Sequence, residues 1–232
     1  MTNHDKMTQH RRFASLLALA LVAGSPLYAS AQDATGADPK SLNAQLIEFA
    51  KKGDEARVLK ALEQGANPNT RNRSGQTALY LFAQKGKAEA AAKLIEKGAD
   101  VNLETLDKTT PLMAAAHGGY LAVAKLLVEN GADIHRKDQI ELDAVMYAAS
   151  RGHVEVMNYL IEQGKVDVNA LLKHDTTVLM WAAGYGQLGT VKALIERGAD
   201  PSAKDDRGMT AGDVARKQGL KEVADYLDSV AK

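Results

Sequence analysis

A chain of 232 residues, 25% charged and 45% hydrophobic, is long enough for one folded array with a sizeable core. Its 29 Lys and Arg balance 29 Asp and Glu, so no global field draws nucleic acid or an acidic membrane surface. It holds no Cys, which removes disulfide frameworks and thiolate metal sites and suits an oxidising compartment.

The chain opens with the features of a targeting segment. Lys6, Arg11 and Arg12 form a basic start, and an apolar run follows from Phe13 to Ala23. Gly24, Pro26 and the small-residue site Ala29-Ser30-Ala31 come next. That order predicts a secretory signal peptide over residues 1–31, cleaved after Ala31. The run is too short for a permanent membrane helix, so no span is expected after cleavage. Arg11-Arg12 lies directly before Phe13 in a pattern that fits twin-arginine export poorly, so the general route is preferred. Loss of Lys6, Arg11, Arg12 and Asp5 would leave a mature net charge of −2. Residues 32–40 (QDATGADPK) read as a small, polar linker.

From residue 41 onward the sequence repeats. Gly53, Gly86, Gly119, Gly152, Gly186 and Gly219 stand 33, 33, 33, 34 and 33 residues apart. Twelve residues after each of the first five lies a second glycine: Gly65, Gly98, Gly131, Gly164 and Gly198. Between them the apolar spacing is helical. In the third unit Leu112, Ala115 and Ala116 share one face, and Val123, Ala124, Leu127 and Val128 mark a second stripe. Thr110 is placed to cap a helix that begins at Pro111. Gly119 allows the tight turn, and Gly131 supplies the left-handed residue that ends the second helix. One such helix pair cannot bury both its faces, so the units must stack.

These segments resemble the ankyrin repeat. The third unit reads TTPLMAAAHGGYLAVAKLLVENGADI and the fifth TTVLMWAAGYGQLGTVKALIERGADP. The resemblance spans residues 41–232 and implies an all-α ankyrin-repeat solenoid of about six helix-turn-helix units with short hairpin loops. The units fall at about 41–73, 74–106, 107–139, 140–173, 174–206 and 207–232. The family's histidine in T-P-L-H is replaced by Tyr80, Met113, Met146 and Met180. The fourth unit departs most. Asp143 takes the capping position, and one extra residue lies between Gly164 and Asn169. The outer units carry polar changes suited to caps, among them Asp225 and Asp228 in the last.

No phosphate-binding glycine loop, nucleophile elbow or H-E-x-x-H pair is present, so no catalytic role and no cofactor are expected. His117, His135, His153 and His174 lie outside the leader, and no two have the spacing of a metal pair, so no metal is expected. His153 stands where the family usually has histidine and reads as structural. Asp100, Asp133, Asp167 and Asp200 recur in a row and complete loops rather than face one cleft. Tyr147 and Trp181 share a repeat position with Leu81 and Ala114, and packing between units is their favoured role.

The resemblance implies a concave groove that binds another protein. It assigns to that groove the hairpin tips and two residues before each turn glycine. The partner-binding candidates are Arg73, Lys85, Leu106, His117, Ile140, Leu142, Arg151, Lys173, Tyr185 and Arg207. Leu106, Ile140, Leu142, Tyr185 and Met209 would put apolar groups on a wet surface, which suggests a protein contact. Six groove bases (Arg73, Lys85, Arg151, Lys173, Arg207, Lys217) against Asp107 and Asp206 would give a net +4, favouring an acidic partner. The function expected is a non-catalytic, monomeric interaction module in the bacterial periplasm, acting as inhibitor, escort or scaffold. Two other readings stay open. One is a hydrolytic or other enzyme using His117, Tyr185 and His174 in the groove. The other is a secreted effector acting on host proteins.

Overall fold

The computed structural model describes residues 41–231, so the expected leader and linker lie outside the described residues. Twelve α-helices and no strand occur among them. In chain order they are α1 (Leu42–Lys52), α2 (Glu55–Glu63), α3 (Ala78–Ala83), α4 (Ala88–Glu96), α5 (Pro111–Gly118), α6 (Leu121–Glu129), α7 (Ala144–Arg151), α8 (Val154–Gly164), α9 (Val178–Gly184), α10 (Leu188–Glu196), α11 (Ala211–Lys217) and α12 (Lys221–Val230). Odd-numbered helices pack on one another in one row, and even-numbered helices form a second row behind them.

The local chemistry of each pair is visible in the third unit. Thr110 accepts the Met113 amide hydrogen on its hydroxyl at 3.2 Å and starts α5. Pro111 occupies the first helical position, where its missing N–H costs nothing. Gly119 ends α5 at φ 73°, and a Cβ there would stand 2.5 Å from the His153 ring. Asp143 caps α7 through Met146 N–H at 2.9 Å, so the carboxylate does the work of the missing threonine.

The second glycine register departs from expectation at one point. Gly65, Gly98, Gly131 and Gly198 are left-handed, but α8 runs through Gly164 and the left-handed residue is Lys165 at φ 49°. The extra residue of the fourth unit is absorbed here, by lengthening the helix and moving its stop one position on.

The core is continuous along the stack. Leu46, Leu79, Leu112, Leu179, Leu94, Leu127, Leu160, Leu194 and Leu227 are all fully buried between the two rows. Two polar ladders run along the edges. In the loops, Asn69 donates from Nδ2 to Gly98 O at 3.1 Å and accepts Asp100 N–H on Oδ1 at 2.8 Å. Asn102 repeats both bonds with Gly131 and Asp133, and Asn169 does so with Gly198 and Asp200. His135 holds this position after the third unit and makes neither bond among the described residues.

Candidate partner-binding groove

The second ladder joins the hairpins. Five hairpins, 72–76, 105–109, 138–142, 172–176 and 205–209, are each closed by a first-residue N–H to fifth-residue C=O bond. Four of them also carry a polar first residue that holds the turn from inside. Asn72 Oδ1 accepts from Ser74 and Gln76 N–H, and Thr105 Oγ1 from Thr109 N–H. Asp138 Oδ1 accepts from Ile140 and Leu142 N–H, each at 2.9 Å. Asp205 does the same for Arg207 and Met209.

The 172–176 hairpin has Leu172 there, whose side chain cannot accept a hydrogen bond. This hairpin adopts another shape. Gly75, Lys108, Glu141 and Gly208 are the single left-handed residues of the other four turns, whereas His174 and Asp175 are both left-handed, at φ 60° and 55°. The tips otherwise touch in sequence. Ser74 O accepts Leu106 N–H at 3.0 Å, Asp107 O accepts Gln139 N–H at 3.1 Å, and His174 O accepts Asp206 N–H at 3.0 Å. The equivalent bond, from Lys173 N–H to Ile140 O, is absent among the described residues.

A cavity of about 570 Å³ opens at this break, between the hairpins and the odd-numbered helices of the fourth to sixth units. Its floor is apolar, with Met146 from α7, Met180 and Trp181 from α9, and Val214 from α11. Such a volume and lining are those of a ligand pocket. Trp181 and Tyr185 lie near-parallel, with ring centroids 6.5 Å apart, and Trp181 Nε1 donates to Thr176 Oγ1 at 3.2 Å. Burial pushes the Tyr185 phenol up to about 12, so it presents a neutral hydroxyl at any physiological pH.

The structure brings Ile140, Leu142, Lys173, Tyr185 and Arg207 together on this cavity. Ile140 is 38% exposed and Leu106, one hairpin away, 49%. Leu142 corrects the expectation of a wet side chain, because it is only 5% exposed. Its amide is held by Asp138, which closes the hairpin and turns the side chain into the cavity floor. Arg73 and Lys85 are exposed on the second unit, away from the cavity.

Arg151 and His117 meet on neighbouring units. Arg151 Nε and Nη2 lie 2.9 and 2.6 Å from His117 Nε2, which therefore accepts as a neutral imidazole. Burial, then Arg151 and His153, holds the His117 pKa below its ordinary value. His153 Nε2 donates to His117 O at 3.0 Å, the structural role expected of it. His117, His174 and Tyr185 do not converge: His174 and Tyr185 line the cavity and His117 does not, while His174 Nδ1 pairs with Asp206 at 2.8 Å.

The excess of positive charge is also smaller than the register predicts. Arg207 is held by the buried carboxylate of Asp205, at 2.6 Å from Nη2, which adds a third acid beside Asp107 and Asp206. Trp181, assigned to packing between units, is half-buried and shares the cavity wall. Reading the hairpin register at 72, 105, 138, 172 and 205 side by side exposes Leu172 as the odd residue, a signal in the sequence that points here. Among the described residues no three His, Asp or Glu side chains gather as metal ligands, and no helix is long and apolar enough to cross a membrane.

Two rows of stacked helices with a groove of hairpins define a repeat solenoid built for protein–protein interaction. The family description "Ankyrin repeats (3 copies)" matches residues 46–138 and 137–205, and the chain belongs to the ankyrin-repeat family. A stretch of 36 residues is 58% identical to Protein HOS4 of Saccharomyces cerevisiae, covering 16% of this chain and 3% of that protein. Another of 61 residues is 43% identical to calmodulin-binding transcription activator 4 of Arabidopsis thaliana, covering 24% of this chain and 6% of that protein. The likeness to both is confined to a small fraction of their length.

Proposed function

We propose that this chain is a non-catalytic, monomeric adaptor of the periplasm, which holds a partner protein in its hairpin groove as inhibitor, escort or scaffold. The observation that carries the reading is the apolar cavity at the hairpin break, continuous with exposed Ile140 and near exposed Leu106. An exposed apolar surface ringed by charge is the mark of a protein contact. Exposed Arg73, Lys85, Arg151 and Lys173 supply positive charge along the same face and favour an acidic partner. The periplasmic assignment rests on the basic, apolar, Ala29-Ser30-Ala31 order and the absence of Cys.

The test uses the full chain as bait in periplasmic extract, with captured proteins identified by mass spectrometry. Arg151→Glu and Tyr185→Ala should each weaken capture at least tenfold while helicity is kept. Lys125→Glu and Lys192→Glu, on the second helix row over the rings of Tyr159 and Tyr226, should leave it unchanged. The opposite pattern would put the partner on the other face. N-terminal sequencing of the exported protein should begin at Gln32; intact protein recovered from the cytosol would refute export.

A further inference from the structure

The break between the 138–142 and 172–176 hairpins leaves more than a hole. Everywhere else along the groove edge that is described above, a tip N–H meets the carbonyl of the preceding tip. Here Ile140 and Lys173 both line the cavity, and neither Ile140 O nor Lys173 N–H has a backbone partner among the described residues. One acceptor and one donor at the mouth of an apolar pocket is the pattern that an extended peptide satisfies. Its backbone offers an N–H and a C=O from the same side, as a strand added to a sheet edge does. An isolated aromatic molecule fills the apolar floor but leaves that pair unmatched.

We propose that this break is the seat of an extended segment of the partner protein. The segment's backbone bridges Ile140 O and Lys173 N–H, and a bulky apolar side chain enters the cavity against Trp181, Met180 and Val214. The inference rests on the protein-binding reading and narrows it to one recognition mode. Three features of the sequence converge on it. The fourth unit carries one extra residue, the 172–176 hairpin that follows has lost its polar anchor to Leu172, and the aromatic pair Trp181 and Tyr185 occurs only in the fifth unit, directly after that hairpin. The turn shape that the other four hairpins adopt would shut the seat.

That last point supplies a test that misfolding cannot imitate. Leu172→Asp restores the side chain that Asp138 and Asp205 use to hold their turns. It should draw the 172–176 hairpin into the common shape, raise the urea midpoint, and lower peptide affinity at least tenfold. A phage-displayed random dodecamer library selected on the full chain supplies the probes. Selected peptides should share a bulky apolar residue, Phe, Tyr, Leu or Met, with no Pro beside it. Trp181 is the chain's single tryptophan, so its emission reports occupancy directly when the synthetic peptide lacks Trp. Binding should shift that emission and slow hydrogen exchange of the Lys173 amide at least tenfold. Trp181→Leu, which restores the residue type of Leu81, should cut affinity at least tenfold with helicity unchanged.

The proposal is overturned if no peptide is selected or if bound peptides leave the Lys173 amide and Trp181 emission unmoved. It is equally overturned if Leu172→Asp binds as well as the parent, or if toluene, an aromatic without backbone amides, competes as strongly as the peptide. A captured partner that is lost with Arg151→Glu but kept with Trp181→Leu would sink this seat and leave the broader protein-binding reading intact.

Discussion

The Tyr147 hydroxyl donates to Asp138 Oδ2 at 2.6 Å, and both side chains are buried. The bond ties the first helix of the fourth unit to the hairpin that precedes it, while Oδ1 of the same carboxylate holds that hairpin closed. Tyr147→Phe would strand a buried carboxylate oxygen. It should lower unfolding free energy by about 1–3 kcal/mol, the usual cost of an unmet buried polar group. Tyr80→Phe is the internal control. Tyr80 also takes a hydroxyl contact, from Thr109 at 3.3 Å, but that hydroxyl already lies 2.7 Å from Thr105. Its loss should be the smaller of the two in urea unfolding.

The His117–Arg151 contact carries a pH dependence. Its environment lowers the folded-state pKa of His117 below 6.5, so folding favours the neutral ring. The associated stability is complete above the unfolded value and is lost as pH falls from there through the folded pKa. Protonation also sets His117 against Arg151. The urea midpoint should therefore fall between pH 7.5 and about 5, and the fall should be shallower in His117→Gln, whose amide oxygen still accepts from Arg151. Equal slopes in both proteins would remove His117 from the account.

Leu127 is fully buried in α6. Leu127→Ala should cost about 2–5 kcal/mol in denaturant unfolding, the range for a core leucine whose cavity does not close. A loss below about 0.5 kcal/mol would contradict its burial.

Thr190 is the one described side chain with a fully buried polar atom and no partner. It stands at the repeat position that Val123, Val156 and Val223 fill elsewhere. Thr190→Val removes the unmet hydroxyl without changing volume, and should raise unfolding free energy by about 1 kcal/mol. An unchanged or lowered midpoint would show that the hydroxyl finds water.

Much of the fold can be read from the sequence because it is periodic. Gly119, Thr110 and Leu127 recur with the unit, and each states a local backbone need that the neighbouring copies repeat. The groove residues Ile140, Lys173, Tyr185 and Arg207 follow from the same register. What the register hides is whatever depends on one unit failing to match the next. Leu142 turns inward because of Asp138, four residues back, and Asp138 matters because of Tyr147, nine residues on. The cavity arises where Leu172 changes one turn and a shifted helix end changes the spacing. Neither effect is periodic, and pattern averaging over copies removes them both.

The two edge ladders are interrupted on opposite sides of the fourth unit, one at His135 in the loops and the other between Ile140 and Lys173 in the hairpins. A stack laced evenly along both edges would peel from its ends when pulled. This one has a dropped stitch on one edge and a second on the other, one junction further along. Tension between the termini would therefore tear the seam at its middle first. An optical-trap record would show two rips of comparable length, one for each half, in place of a staircase that starts at a terminus.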